Sequence, residues 1–73
     1  MAMDIPAECR TIEARVKAAG GRVDEMCRLA EINRATWQRW KSGDREPLIG
    51  GWNRVHAVVA EFEREHADKA DAA

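Results

Sequence analysis

A chain of 73 residues can bury one small core and has too little surface to bury a second, so a single marginally stable domain is expected. Hydrophobic residues make up 45%, tyrosine is absent, and Ala, Glu and Arg dominate over β-branched types, which favours helix. No stretch approaches the roughly 20 apolar residues of a membrane span, and Cys9 and Cys27 stand apart without CxxC spacing or a preceding apolar leader, so a soluble protein of the reducing cytoplasm is expected.

The formal charge of −1 conceals a polarised chain. Residues 1–9 carry −2 from Asp4 and Glu8, residues 10–54 carry +4 from ten Arg and Lys against six acids, and residues 55–73 carry −3 from two basic against five acidic groups. Local sign matters more than the total in steering a charged ligand, so the basic central segment keeps nucleic acid among the candidate partners.

In chain order, Ile5, Cys9, Ile12, Val16 and Ala19 follow a 4,3,4,3 spacing that lays one stripe along a first helix. Asp4 suits its N-cap, Pro6 its first turn, and Gly20-Gly21 its end. Val23, Met26, Cys27 and Ala30 repeat the pattern in a short second helix, about residues 23–30, whose Asp24 and Glu25 sit where the positive end of the helix dipole favours acids. Asn33 is a good N-cap for a third helix over 34–42, stopped by Gly43 and kept from restarting by Pro47. After Leu48-Ile49-Gly50-Gly51, which read as helix punctuation, Trp52, Val55, Val59, Phe62 and His66 mark a longer fourth helix expected to fray beyond Glu65. The expectation is an all-α, four-helix domain over residues 1–66 and a disordered tail over 67–73.

Within the third helix, Trp37 and Trp40 lie about 60° apart on the helical wheel and define one face. Ala35, Gln38, Arg39 and Ser42 point the opposite way, with Arg34 and Lys41 on the flank. These side chains suit a DNA major groove: Arg can pair both ways with guanine O6 and N7, Gln with adenine N6 and N7, and Ala can meet a thymine methyl. Asn33 and Arg34 open the helix at the end such helices present most deeply. Asn33, Arg34, Ala35, Gln38 and Arg39 are therefore the candidate base contacts, and Lys41, Ser42 and Arg45, with Arg54 as a further possibility, the candidate phosphate contacts. An isolated amphipathic helix with a few arginines would more often be merely solvated on that face. What shifts the balance is the short helix and tight turn before it, the arrangement of a helix-turn-helix.

The segment "VDEMCRLAEINRATWQRWKSGDREP" resembles the helix-turn-helix of the Cro/C1 (XRE) repressor family. Cys27 matches the small residue at the helix crossing; Met26, Ala30, Ile32, Trp37 and Trp40 fill the apolar positions; "NRAT" resembles the Ser/Thr-rich start of the recognition helix, and "RWKSGDREP" the family's "RWENGxxxP"-like ending. The match covers about 25 residues directly and extends loosely from Ile5 to Glu65. It departs from the pattern at Glu31, where the family usually has Gly, so that Glu31 must either carry a positive φ at roughly 1 kcal/mol or alter the turn. Family domains also often have five helices, where this chain merges the last two.

Cys9, Cys27, His56 and His66 include zinc-binding residue types, but their spacing fits no zinc finger, and both cysteines lie on apolar stripes, so buried thiols and no metal are expected. His56 and His66 are expected as half-buried flank residues. Glu61, Glu63 and Glu65 form a solvated run rather than an acid/base pair, and neither Gly-Gly pair cradles phosphate, so neither an enzyme nor a cofactor site is expected. Trp52, Val55, Val58, Val59 and Phe62 either complete a thin core or form a two-fold dimer face.

The resemblance implies a sequence-specific, double-stranded DNA-binding regulator of phage or prophage repressor type, acting by promoter occlusion. A homodimer would read a palindromic operator. The alternative is a protein-interaction module of the same fold, such as an antirepressor or phage accessory protein, suggested by the acidic fourth helix and tail.

Overall fold

The computed structural model describes the backbone of residues 4–72 and the side chains of residues 4–69. Met1–Met3, expected in the domain, and Ala73, expected in the tail, lie outside the described residues. The described chain is all-α: α1 (Ile5–Ala18), α2 (Val23–Leu29), α3 (Arg34–Ser42) and α4 (Ile49–Ala72).

The expected start and stop signals act locally. Asp4 accepts a hydrogen bond from the Ala7 amide at 3.3 Å, and Pro6 occupies the first turn of α1. Asn33 caps α3 by accepting from the Ala35 amide at 2.8 Å. Three helices end in the same closure, in which a residue of positive φ lets two successive amides reach back to the last turn. After α1 the closing residue is Gly20 (φ 78°), with Gly21 N–H donating to the Val16 carbonyl; after α3 it is Gly43 (φ 88°), with Asp44 N–H donating to Arg39. After α2 it is Glu31, at φ 58°, with Glu31 N–H donating to Arg28 and Ile32 N–H to Cys27. Of the two alternatives at Glu31, the turn keeps its closure and the side chain bears the strain.

α4 differs from the expectation at both ends. It begins at Ile49 and takes Gly50 and Gly51 into its first turn. Gly51 is needed there for closeness: a Cβ would stand 3.3 Å from both Ile32 Cδ1 and Trp40 Cη2, so its bare backbone lets α4 press on the core. At the other end the helix does not stop near Glu65 but continues to Ala72. Ala67, Ala70 and Ala72 are strong helix formers, and Glu65 precedes Lys69 by four residues, the order that supports a helix.

The core comprises Cys9, Ile12 and Val16 from α1, Met26 and Cys27 from α2, Ala30 and Ile32 from the turn, Trp37 and Trp40 from α3, and Val55, Val59 and Phe62 from α4. Apart from Ile32, these were marked by the spacing of apolar residues, whereas the stripe residues Ile5, Ala19, Val23 and Trp52 are only partly buried against the core. Val55, Val59 and Phe62 are inside it, and only Trp52 and Val58 of the five α4 residues considered for a dimer remain partly exposed. The core therefore absorbs most of that face, because α4 has to cover three shorter helices. His56 is half-buried, as expected, but His66 is exposed.

Candidate nucleic-acid interface

α3 is held by its two tryptophans. Trp37 is fully buried and Trp40 is 3% exposed; their rings meet edge to face with centroids 5.9 Å apart. The edge-on series continues from Trp40 to Trp52 (6.1 Å) and from Trp52 to His56 (5.0 Å), tying α3 to α4 through aromatic contacts that favour this geometry. The indole N–H of Trp37 cannot be left dry, and it donates to Glu13 Oε2 of α1 at 2.8 Å. Lys41 Nζ adds a contact of 3.2 Å to the same oxygen. Burial alone would raise the Glu13 pKa, but the hydrogen bonds from Trp37 and Lys41 outweigh it and hold the carboxyl below its ordinary 4.5.

Lys41, expected among the phosphate contacts, has an internal partner in this structure. It lies on the flank of α3, half-buried, and its ammonium is engaged with Glu13. Arg54 is likewise used internally: its Nε donates at 2.8 Å to the Ala30 carbonyl at the end of α2, where helical carbonyls lack intrahelical partners.

The other expected contacts, Asn33, Arg34, Ala35, Gln38, Arg39, Ser42 and Arg45, are all exposed. Asn33 commits its side-chain oxygen to the cap. Arg34 pairs with Asp24 at 3.0 Å, with the two side chains 46% and 74% exposed. A surface pair like this is worth about 0–1 kcal/mol, so a phosphate can displace it. Ser42 Oγ donates to the Arg39 carbonyl at 3.1 Å. Among the described residues, Arg39 and Arg45 enter no ion pair.

The tertiary arrangement also assembles a group that no single helix announces. Lys17, from the last turn of α1, and Arg22, just before α2, join Arg34 and Lys41 around a depression of about 360 Å³ that also contains Glu13 and Asp24. The excess of basic residues over 10–54 was the available signal, but no periodic stripe connects these positions because they lie on two different helices and a linker.

No protein-family model, curated protein or solved structure matches this chain. Among the described residues, no helix is long and apolar enough to cross a membrane, and no cluster of three His, Cys, Asp or Glu residues is placed to hold a metal ion. Cys9 and Cys27 are free, buried thiols, and burial pushes both pKa values up, that of Cys9 to about 11 with help from the nearby Glu13 carboxylate.

Proposed function

We propose that this chain binds duplex DNA through the exposed face of α3 as a sequence-specific transcriptional regulator, in the manner of the Cro/C1-type repressors it resembles. α2, its turn and α3 then act as the helix-turn-helix. The observation that carries this reading is the division of α3: both tryptophans are anchored inward while Ala35, Gln38 and Arg39 stand in solvent with hydrogen-bonding or methyl-accepting chemistry suited to base edges. Arg34 and the amide of Asn33 contribute at the helix start, and Ser42 and Arg45, joined by Lys17 and Arg22, reach phosphates. Repression by blocking a promoter, in the cytoplasm and of phage type, is the simplest mechanism for such a domain, and the role is one of binding rather than catalysis.

A second reading is favoured by an apolar depression of about 340 Å³ between α2 and α4, where Leu29, Val58 and Phe62 are rimmed by Glu25, Glu61 and Glu65. A basic segment of a protein partner fits that chemistry, and on this reading the domain is a protein-interaction module.

Selection of the purified, folded protein against random duplex DNA at two salt concentrations separates the two. Enrichment of a defined sequence that weakens steeply with salt supports the DNA reading, because bound phosphates release counterions. No enrichment at low salt overturns it in favour of the protein partner.

A further inference from the structure

Lys41 follows Arg34 by two turns of α3, about 10 Å along the same flank. With Lys17 and Arg22 these two line the depression of about 360 Å³ that Glu13 and Asp24 also line. Each of the two carboxylates there has taken one cation of α3. Asp24 lies 3.0 Å from Arg34 Nε, and Glu13 lies 3.2 Å from Lys41 Nζ.

The two pairs differ in what a phosphate would meet. Arg34 and Asp24 are both exposed, so water solvates whichever partner is left when Arg34 moves to a phosphate. The side chains of Lys41 and Glu13 are only 28% and 15% exposed. Glu13 also accepts the indole N–H of the fully buried Trp37 at 2.8 Å, a bond the buried ring needs, so the carboxylate cannot follow its cation outward. Moving Lys41 to a phosphate would exchange one anion for another and leave a largely desolvated carboxylate without its cation, beside a new negative charge. The stranded carboxylate makes that exchange unfavourable.

We propose that Glu13 limits the affinity of this chain for duplex by withholding Lys41 from the phosphate backbone. On the duplex-binding reading, on which this role rests, Glu13 touches no nucleic acid and acts through Lys41, as a positioning residue. Phosphate contacts supply essentially all binding to non-target sequences. A withheld cation therefore lowers the hold on every duplex by one contact and leaves sequence preference to the base-facing side chains of α3. Glutamine in place of Glu13 keeps an oxygen for Trp37 but has no charge to retain the ammonium.

Duplex affinity, measured against salt for the selected sequence and for a mixed-sequence duplex, tests this in the wild-type chain, Glu13→Gln, Lys41→Met and the double variant, with helical circular dichroism confirming each fold. Glu13→Gln is expected to bind both duplexes more tightly by a similar factor, and the slope of log affinity against log salt to steepen by about 1. Lys41→Met leaves the wild-type slope unchanged and removes the gain of Glu13→Gln. Trace acetylation without DNA reads the pairing separately: Lys41 labels more slowly than the exposed Lys17 and Lys69 in the wild-type chain, and Glu13→Gln removes most of that difference. A Lys41→Met variant that flattens the wild-type slope by about 1 overturns the proposal, because Lys41 would already be on a phosphate. So does a Glu13→Gln variant with no gain, or a gain that survives Lys41→Met, or a wild-type Lys41 that labels as fast as Lys17. A shielded Lys41 in a chain that binds no duplex at low salt overturns the duplex-binding reading, and this role with it.

Discussion

Glu13 of α1 and Trp37 of α3 are joined by a hydrogen bond of 2.8 Å from the indole Nε1 to the carboxylate. The bond sets the rotation of α3 against α1, because Trp37 is fully buried and has one polar atom to satisfy. Replacing Glu13 by Ala leaves that N–H unpaired and is expected to cost about 1–3 kcal/mol. Urea denaturation measures it; an unchanged midpoint would mean that water replaces the carboxylate without loss.

The same carboxyl makes stability depend on acid. Glu13 is held below its ordinary pKa of 4.5 by Trp37 and Lys41, and Glu63 is lowered by the Arg15 guanidinium, which lies 2.6 Å from it. A folded-state pKa below the unfolded one means that the unfolded chain binds more protons in that interval. The stabilisation is therefore complete above the ordinary carboxylate range and is lost as pH falls through the depressed values. Thermal midpoints should be flat above that range and drop below about pH 4.5, and Glu13→Gln, which keeps an acceptor for Trp37 but has no charge, should blunt the drop. An identical acid profile for the variant would remove Glu13 as a cause.

Glu31 bears a φ of 58° that glycine adopts without penalty. Glu31→Gly should change stability by two opposing terms: relief of about 1 kcal/mol of left-handed strain, against the greater chain entropy of glycine when unfolded. A small net gain is expected, read as a higher urea midpoint at unchanged slope. A loss would show that the Glu31 side chain contributes something beyond its backbone angle.

Arg39 and Lys41 are two residues apart on α3, yet only Lys41 is held internally. On the DNA-binding reading, Arg39→Ala should cost about 1–3 kcal/mol of affinity and relax preference at one base pair. Lys41→Ala should instead lower stability while leaving sequence preference intact. A binding titration on the selected duplex and a melt of each variant check the contrast; exchanged phenotypes would reverse the assignment.

Cys9 is fully buried and its pKa is raised to about 11, so at neutral pH it is a protonated thiol shielded from reagent. Alkylation by iodoacetamide should be slow in the native chain and fast in denaturant, with the native rate tracking the opening equilibrium. Rapid native labelling would show that α1 opens locally.

The sequence by itself determined the four helices, the apolar face of each and the capping residues of α1 and α3. Stripe spacing is a local property of the chain, so Cys9, Ile12 and Val16, or Trp37 and Trp40, could be assigned inward from their order alone. Capping by Asp4 and Asn33 involves residues two or three positions apart, whereas at Glu31 the sequence left a positive φ or an altered turn open and the structure chose the first. What tertiary structure decided was the use of groups whose partners are distant in sequence. Lys41 meets Glu13, 28 residues away, and Arg54 meets Ala30, 24 residues away, so neither cation's engagement could be read from its own helix. Gly51 looked like punctuation until Ile32 and Trp40 were seen against it, and Val55, Val59 and Phe62 could have faced a partner until α4 was packed. Periodicity identifies which face of a helix is apolar, but which surface covers that face, and which charges remain for a ligand, is decided only when the helices meet.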